Sequence, residues 1–104
     1  MANENVLLGT DLKIKVDLRC EGFDMDTDDF SVTVRSSSSS DTYDSDDPAW
    51  VQDDTTGDWY LCLPTTGMKG LVTMIATLDV PDEDFESGVR KEVVKKDLFT
   101  VRKP

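Results

Sequence analysis

Alternation of apolar and polar residues is the dominant pattern in this sequence. Every second position of residues 11–20 is apolar: Leu12, Ile14, Val16, Leu18 and Cys20. A period of two sends alternate side chains to opposite faces, which predicts a half-buried strand of an antiparallel sheet. The same period recurs over residues 30–35 and over residues 71–80, where Pro81 ends it.

Several shorter stretches have strand character as well, and no stretch carries a helical stripe of useful length. They are 6–8, 49–52, 59–63, 89–96 and 98–101. The last two are compatible with one long strand broken near Asp97. About seven strands with turn residues every ~8–12 positions predict an all-β fold, an antiparallel β-sandwich of immunoglobulin-like type.

One stretch, SSSSSDTYDSDDP at 36–48, shows no periodicity and offers almost nothing to bury. This composition predicts a flexible Ser/Asp-rich loop. A chain of 104 residues is near the commonest domain size. We therefore expect a single domain over 1–104 that needs neither a disulfide nor a metal to fold.

The net charge of the chain excludes some classes of binding partner. The chain has 22 acidic and 11 basic residues, no histidine and a formal net charge of −11. Such a surface repels nucleic-acid phosphates and anionic lipids, so we expect neither a nucleic-acid nor a membrane partner. The first residues lack the basic and apolar regions of a secretory signal, which favours a protein made and kept in a cytoplasm or packaged from one.

The run DMDTDD at 24–29 begins like a calcium-binding loop. An EF-hand loop starting at Asp24 would need Gly at its sixth position and Glu at its twelfth, between two helices. Those positions hold Asp29 and Arg35, and the flanks are predicted strands. The EF-hand interpretation is therefore rejected.

Strand parity suggests a different arrangement of these acids. Alternate connections of an antiparallel sandwich lie at the same end, which brings together the loops 24–29, 53–58 and 79–87. We call these three loops the acidic pole; they hold twelve acidic residues and no Lys or Arg. The serine-rich stretch 36–48, with Asp41, Asp44, Asp46 and Asp47, is expected at the opposite end.

The acidic pole has three interpretations. It can supply oxygen ligands to Ca²⁺, it can meet a basic partner surface, or its aspartates can serve only as turn residues that cap their own backbone. The third is favoured. The weak calcium candidates are Asp24, Asp26, Asp28, Asp53, Asp54, Asp82 and Asp84.

Neither the two cysteines nor the other reactive side chains form a recognisable site. Cys20 and Cys62, with Tyr60 close by, superficially match the disulfide and tyrosine corner of antibody domains, but Trp50 lies far from the position that this pattern requires. Two buried free thiols are favoured over a disulfide. No base or nucleophile has a recognisable partner, so we predict a protein that is not an enzyme and has no cofactor.

Three stretches carry a family resemblance: LLGTDLKIKV near the start, DFSVTV in the second strand, and VPDEDFESGVRKEVV at 80–94. Together they resemble small immunoglobulin-like structural proteins of phages and prophages of Bacteroides-type gut bacteria. They are also loosely similar to the N-terminal domain of phage upper baseplate proteins.

The resemblance implies a non-enzymatic virion component of the head–tail or baseplate region. It also implies assembly in the host cytoplasm and self-association or co-assembly with other virion proteins. The alternative from another class is a calcium-dependent binding domain, adhesin-like or carbohydrate-recognising.

Overall fold

The computed structural model describes residues 4–104, so the first three residues of the predicted domain 1–104 lie outside it. The described part contains strands and turns without a helix, as the alternation predicts. The eight strands are β1 Glu4–Leu7, β2 Asp11–Val16, β3 Phe30–Arg35, β4 Ser40–Asp44, β5 Trp50–Gln52, β6 Trp59–Pro64, β7 Gly70–Pro81 and β8 Val89–Arg102.

The strands form two sheets. One has five strands in the order β1-β8-β7-β3-β4, and the other has three in the order β2-β6-β5. All neighbours are antiparallel except β1, which runs parallel to β8. The all-β prediction is confirmed, and two sheets are consistent with the predicted sandwich.

The inward faces of both sheets form one apolar core, in which alternate residues of each strand are buried. Its largest fully buried side chains are Val32, Val34, Leu61, Val72, Leu78 and Val80 together with Thr65. Trp50 packs edge-on against Phe30 with ring centroids 5.1 Å apart. Both aromatic residues therefore belong to the core.

The alternation over 11–20 also predicts the correct face. Val16 and Leu18 are buried, and Leu12, Ile14 and Cys20 pack against the core. The strand itself ends at Val16, because the chain beyond it leaves β6 and enters a turn.

The interpretation of 36–48 as one loop is wrong. Residues 40–44 form β4, which pairs with β3 at the edge of the five-stranded sheet. Only 36–39 is a turn at this end, and it is tied down because the Ser37 and Ser38 hydroxyls donate to the carbonyl oxygens of Lys69 and Gly67. β4 is also the strand that brings the total to eight instead of about seven.

β7 and β8 form a long hairpin that continues past the rest of its sheet. Phe30, the first residue of β3, pairs with Leu78, whereas the hairpin pairs on as far as Pro81 and Val89. β8 is continuous, with a register shift opposite Val72 and Thr73. The stretches 89–96 and 98–101 thus belong to one strand, and a register shift takes the place of the break near Asp97. No helix long and apolar enough to span a membrane occurs in the part of the chain that the structure describes.

Candidate functional site

Asp26 joins two loops of the acidic pole. Its Oδ1 atom accepts a hydrogen bond from Trp59 Nε1 at 2.8 Å and another from Gln52 Nε2 at 2.9 Å. Gln52 Nε2 also donates to the carbonyl oxygen of Gly57 at 3.1 Å. One carboxylate oxygen thus ties the loop 24–29 to the strand ends on either side of the loop 53–58.

The loop 24–29 caps its own backbone. Asp24 Oδ1 accepts the amide of Asp26 at 2.9 Å, and Asp28 Oδ2 accepts the amide of Asp24 at 2.8 Å. Two backbone hydrogen bonds, from the amides of Thr27 and Asp28 to the Asp24 carbonyl, close the turn. Aspartate side chains that accept neighbouring amides in this way are a general reason for aspartate in turns.

The loop 53–58 also caps its own backbone with an aspartate side chain. Asp53 Oδ1 accepts the amides of Thr55 at 2.8 Å and Thr56 at 3.0 Å. The backbone amides of Thr56 and Thr55, with a weaker contribution from the positive charge of Lys13, hold the pKa of Asp53 below its ordinary value. The charged form of Asp53 is therefore part of the folded turn. Gly57 has a φ of 79°, which favours glycine at this point.

The third segment, 79–87, reaches the pole through the hairpin. The Asp79 amide donates to the Asp29 carbonyl at 2.9 Å, so the base of this segment adjoins the loop 24–29. Its tip lies farther out, since three residue pairs of the hairpin extend past β3, a distance of about 10 Å. The Asp82 carboxylate caps the tip by accepting the Asp84 amide at 3.0 Å.

The structure thus confirms that the three loops lie at one end of the domain. It also places the β4–β5 connection at this end, whereas strand parity predicted it at the opposite end. Ser45 donates its amide to the Phe30 carbonyl at 2.8 Å, and Asp46 lies beside Asp28 and Trp59 in a shallow cleft. The expected position of Asp44, Asp46 and Asp47 at the opposite end is therefore wrong, because β4 carries the chain back to the acidic pole.

Cations from the adjacent strands neutralise part of the acidic pole. Asp58 pairs with Lys15, Asp82 with Arg90, and Asp79 with Lys91. Sequence spacing did not reveal these pairs, since each cation lies on a strand outside the loops. Nine of the twelve acidic residues have no ion-pair partner among the described residues. A net negative surface remains.

The metal candidates are distributed among separate turns. Asp24, Asp26 and Asp28 share one turn, Asp53 and Asp54 another, and Asp82 and Asp84 the hairpin tip. Within residues 4–104, no group of three or more His, Cys, Asp or Glu side chains is arranged to hold a metal ion. Four of the seven carboxylates already accept backbone amides, which accounts for aspartate at those positions.

An open cleft of about 390 Å³ lies beside the pole, on the outer surface of the five-stranded sheet. It is lined by Asp29, Asp44, Asp46, Asp79 and Lys91 among others, so its walls are mainly acidic. Such a shallow polar depression lacks the apolar enclosure of small-molecule sites. It suits contact with a charged macromolecular surface better than capture of a small substrate.

Both cysteines are free thiols, and both are half-buried rather than buried. Cys20 packs against the core, whereas Cys62 lies between the inward-facing Leu61 and Leu63 and therefore faces outward from β6. Because the two thiols lie on different sides of the three-stranded sheet, they are not placed to form the antibody-type bridge.

Comparisons with known proteins give no relative from which a role can be transferred. No protein-family model matches the chain, and no curated protein or solved structure matches it significantly.

Proposed function

We propose that this chain is a non-enzymatic structural and interaction module, a component of a phage or prophage virion in its head–tail or baseplate region. Its fold is proposed to be an immunoglobulin-like sandwich, and its acidic pole is the surface that meets a basic protein partner. The proposed virion location rests on the resemblance of the three sequence stretches described above. The mode of binding rests on the structure.

The proposed mode of binding rests on one observation: acidic and basic residues lie at opposite ends of an elongated molecule. The protein measures 50 × 32 × 27 Å. The three loops and the β4–β5 connection bring carboxylates to one end, as the hydrogen bonds of Asp26, Asp29 and Ser45 show. At the other end Lys69, Arg102 and Lys103 line a small depression.

This arrangement favours assembly over chemistry. A field concentrated at one end orients an incoming basic partner and raises its association rate. The turns at the pole are braced by their own side chains, so the carboxylates are presented on a fixed backbone. A preorganised surface loses less entropy when it binds.

The test uses the structural proteins that neighbouring genes of the same genome encode, co-expressed with this chain. We expect one of them to co-purify at low salt and to dissociate at high salt, because exposed charge pairs are screened. The variant Asp54→Asn/Asp84→Asn removes two pole charges that make no hydrogen bond within the described structure. It is expected to weaken binding about fivefold or more.

The matched control is Asp11→Asn/Asp41→Asn, which removes two exposed charges at strand positions outside the pole. It should bind as the unaltered chain does. Equal weakening by both variants would reduce the effect to net charge and remove the acidic pole as the binding surface. Absence of the chain from purified virus particles, measured by mass spectrometry, would contradict the virion role itself.

A further inference from the structure

Among residues 4–104, the outer edge of β8 is unpaired over most of its length. β8 pairs with β7 from Val89 to Val101, but on its other side β1 pairs only with Phe99–Arg102. No strand of the described chain pairs with the outer edge of residues 89–98. An unpaired edge presents a row of backbone donors and acceptors that can join another strand.

This edge is exposed on both faces of its sheet. Val93 is 64% exposed and Val94 is 41% exposed, although successive residues point to opposite faces. The three-stranded sheet therefore leaves this part of β8 uncovered. Strand edges that only need to stay in solvent usually carry charges at such positions, so two adjacent exposed valines need a different explanation.

The edge is also basic within an acidic protein. Residues 90–97 contain four basic and two acidic residues. Neither Lys95 nor Lys96 has an ion-pair partner among the described residues. The edge thus combines free backbone groups, exposed apolar side chains and unused positive charge.

A two-fold symmetric antiparallel pair of such edges must place one residue opposite itself, because directly opposed residues share a face. With Val94 at the centre, Glu92 lies opposite Lys96 of the partner subunit. In the same register Lys91 lies opposite Asp97 of the partner subunit. Each pairing occurs twice by symmetry, so the register places four opposite-charge pairs and no like-charge pair face to face. Within each chain Lys91 also pairs with Asp79, and Glu92 with Arg90.

The neighbouring registers are worse. With Val93 at the centre, Lys91 lies opposite Lys95 of the partner subunit, and Arg90 lies opposite Lys96 of the partner subunit. Centres one position farther in either direction put Glu92 or Lys95 opposite its own copy. Directly opposed like charges destabilise a strand pair, so the sequence of β8 discriminates among its own pairings.

We propose that the partner of this edge is a second copy of the chain, paired antiparallel through β8 with Val94 on the two-fold axis. The two five-stranded sheets then form one continuous sheet of ten strands. The inference deepens the proposed assembly function and rests on it only for its biological purpose, since the edge and its charges are properties of the chain itself.

The test measures the dimer dissociation constant by analytical ultracentrifugation over a range of concentrations. Lys96→Glu should weaken dimerisation at least about tenfold, because two attractive pairs with Glu92 become repulsive. The swapped variant Glu92→Lys/Lys96→Glu should restore the dimer. Lys69→Glu is the matched control, since it makes the same charge change at an exposed residue outside the edge.

Each outcome decides the matter. If Lys96→Glu strengthens the dimer, the register is centred on Val93 and the proposal is wrong, since that register opposes Arg90 to Lys96. A chain that is monomeric at all concentrations also overturns the proposal. So does a dimer whose dissociation constant is the same with and without Lys96→Glu. Thermal melts of each variant confirm that the exposed substitutions leave the fold intact.

An independent measurement uses cysteine cross-linking. Val94→Cys should give a covalent dimer under mild oxidation, because residues directly opposite each other have Cβ atoms about 4.5–5.5 Å apart. Val93→Cys should cross-link poorly, since the two copies are then diagonal neighbours; the unaltered chain controls for Cys20 and Cys62. If Val93→Cys gives more cross-linked dimer than Val94→Cys, the proposed register is wrong. Failed binding to virion proteins would leave these results unchanged, so the two proposals fail separately.

Discussion

Asp26 offers the sharpest test of how the acidic pole is built. Its Oδ1 atom alone accepts the two hydrogen bonds from Trp59 and Gln52, at 2.8 and 2.9 Å. Asp26→Ala removes the acceptor and releases the loop 24–29 from the strand ends that flank the loop 53–58. Asp26→Asn keeps an oxygen in the same place and removes only the charge. The two variants therefore separate hydrogen bonding from electrostatics.

The magnitude follows from the number of bonds. A hydrogen bond within a protein contributes about 0.5–1.5 kcal/mol net, so two bonds give about 1–3 kcal/mol. Asp26 is exposed and water competes for its oxygen, so we expect the lower half, about 1–2 kcal/mol for Asp26→Ala. For a domain of this size the melting temperature should fall by about 4–15 °C.

The assay is urea unfolding followed by tryptophan fluorescence, in which Trp59 reports directly on the affected contact. Asp26→Asn should lose less than about 1 kcal/mol, since both donors keep their acceptor. Asp54→Asn is the control, because it removes a charge from the same pole without a hydrogen bond and should change stability by less than about 0.5 kcal/mol. If Asp26→Ala is as stable as Asp54→Asn, the loops are not held together by this carboxylate.

Three further predictions concern other parts of the molecule. The buried Thr65 hydroxyl accepts the Gly9 amide and donates to a backbone carbonyl, so Thr65→Val should cost about 1–3 kcal/mol in urea unfolding, whereas Thr65→Ser should cost less. Burial, with the negative charges of Asp41 and Asp47, raises the pKa of Tyr43. The neutral phenol is therefore favoured by the fold, and its stabilisation is present below the ordinary pKa near 10 and is lost as pH rises through the raised one. Spectrophotometric titration should show a late-ionising tyrosine that Tyr43→Phe removes. Finally, millimolar Ca²⁺ should raise the melting temperature no more than Mg²⁺ does, since the loop carboxylates already accept backbone amides; a calcium-specific rise would support the calcium-binding alternative.

Hydrophobic alternation predicted the elements whose side chains are sorted between a core and solvent. The inward residues of β3 and β7, such as Val32 and Leu78, are those that the period of two selects. The alternation did not predict β4, because its side chains are almost all exposed and polar. It is held chiefly by the backbone ladder to β3, and a ladder of main-chain hydrogen bonds leaves little trace in the pattern of side chains.

The sequence by itself determined the all-β class, the faces of the strands and the presence of acidic turns, because burial and turn geometry act on residues that are close in the chain. Only the tertiary structure decided that Asp26 lies against Trp59, that the β4–β5 connection adjoins the acidic pole, and that the described strands leave one edge of β8 unpaired. These features depend on which strands become neighbours and on how far each one extends. Among residues 4–104, β1 pairs only with Phe99–Arg102 and no strand pairs with the outer edge of residues 89–98 of β8. Strand pairing is a relation between distant segments, so no local pattern of residues encodes it.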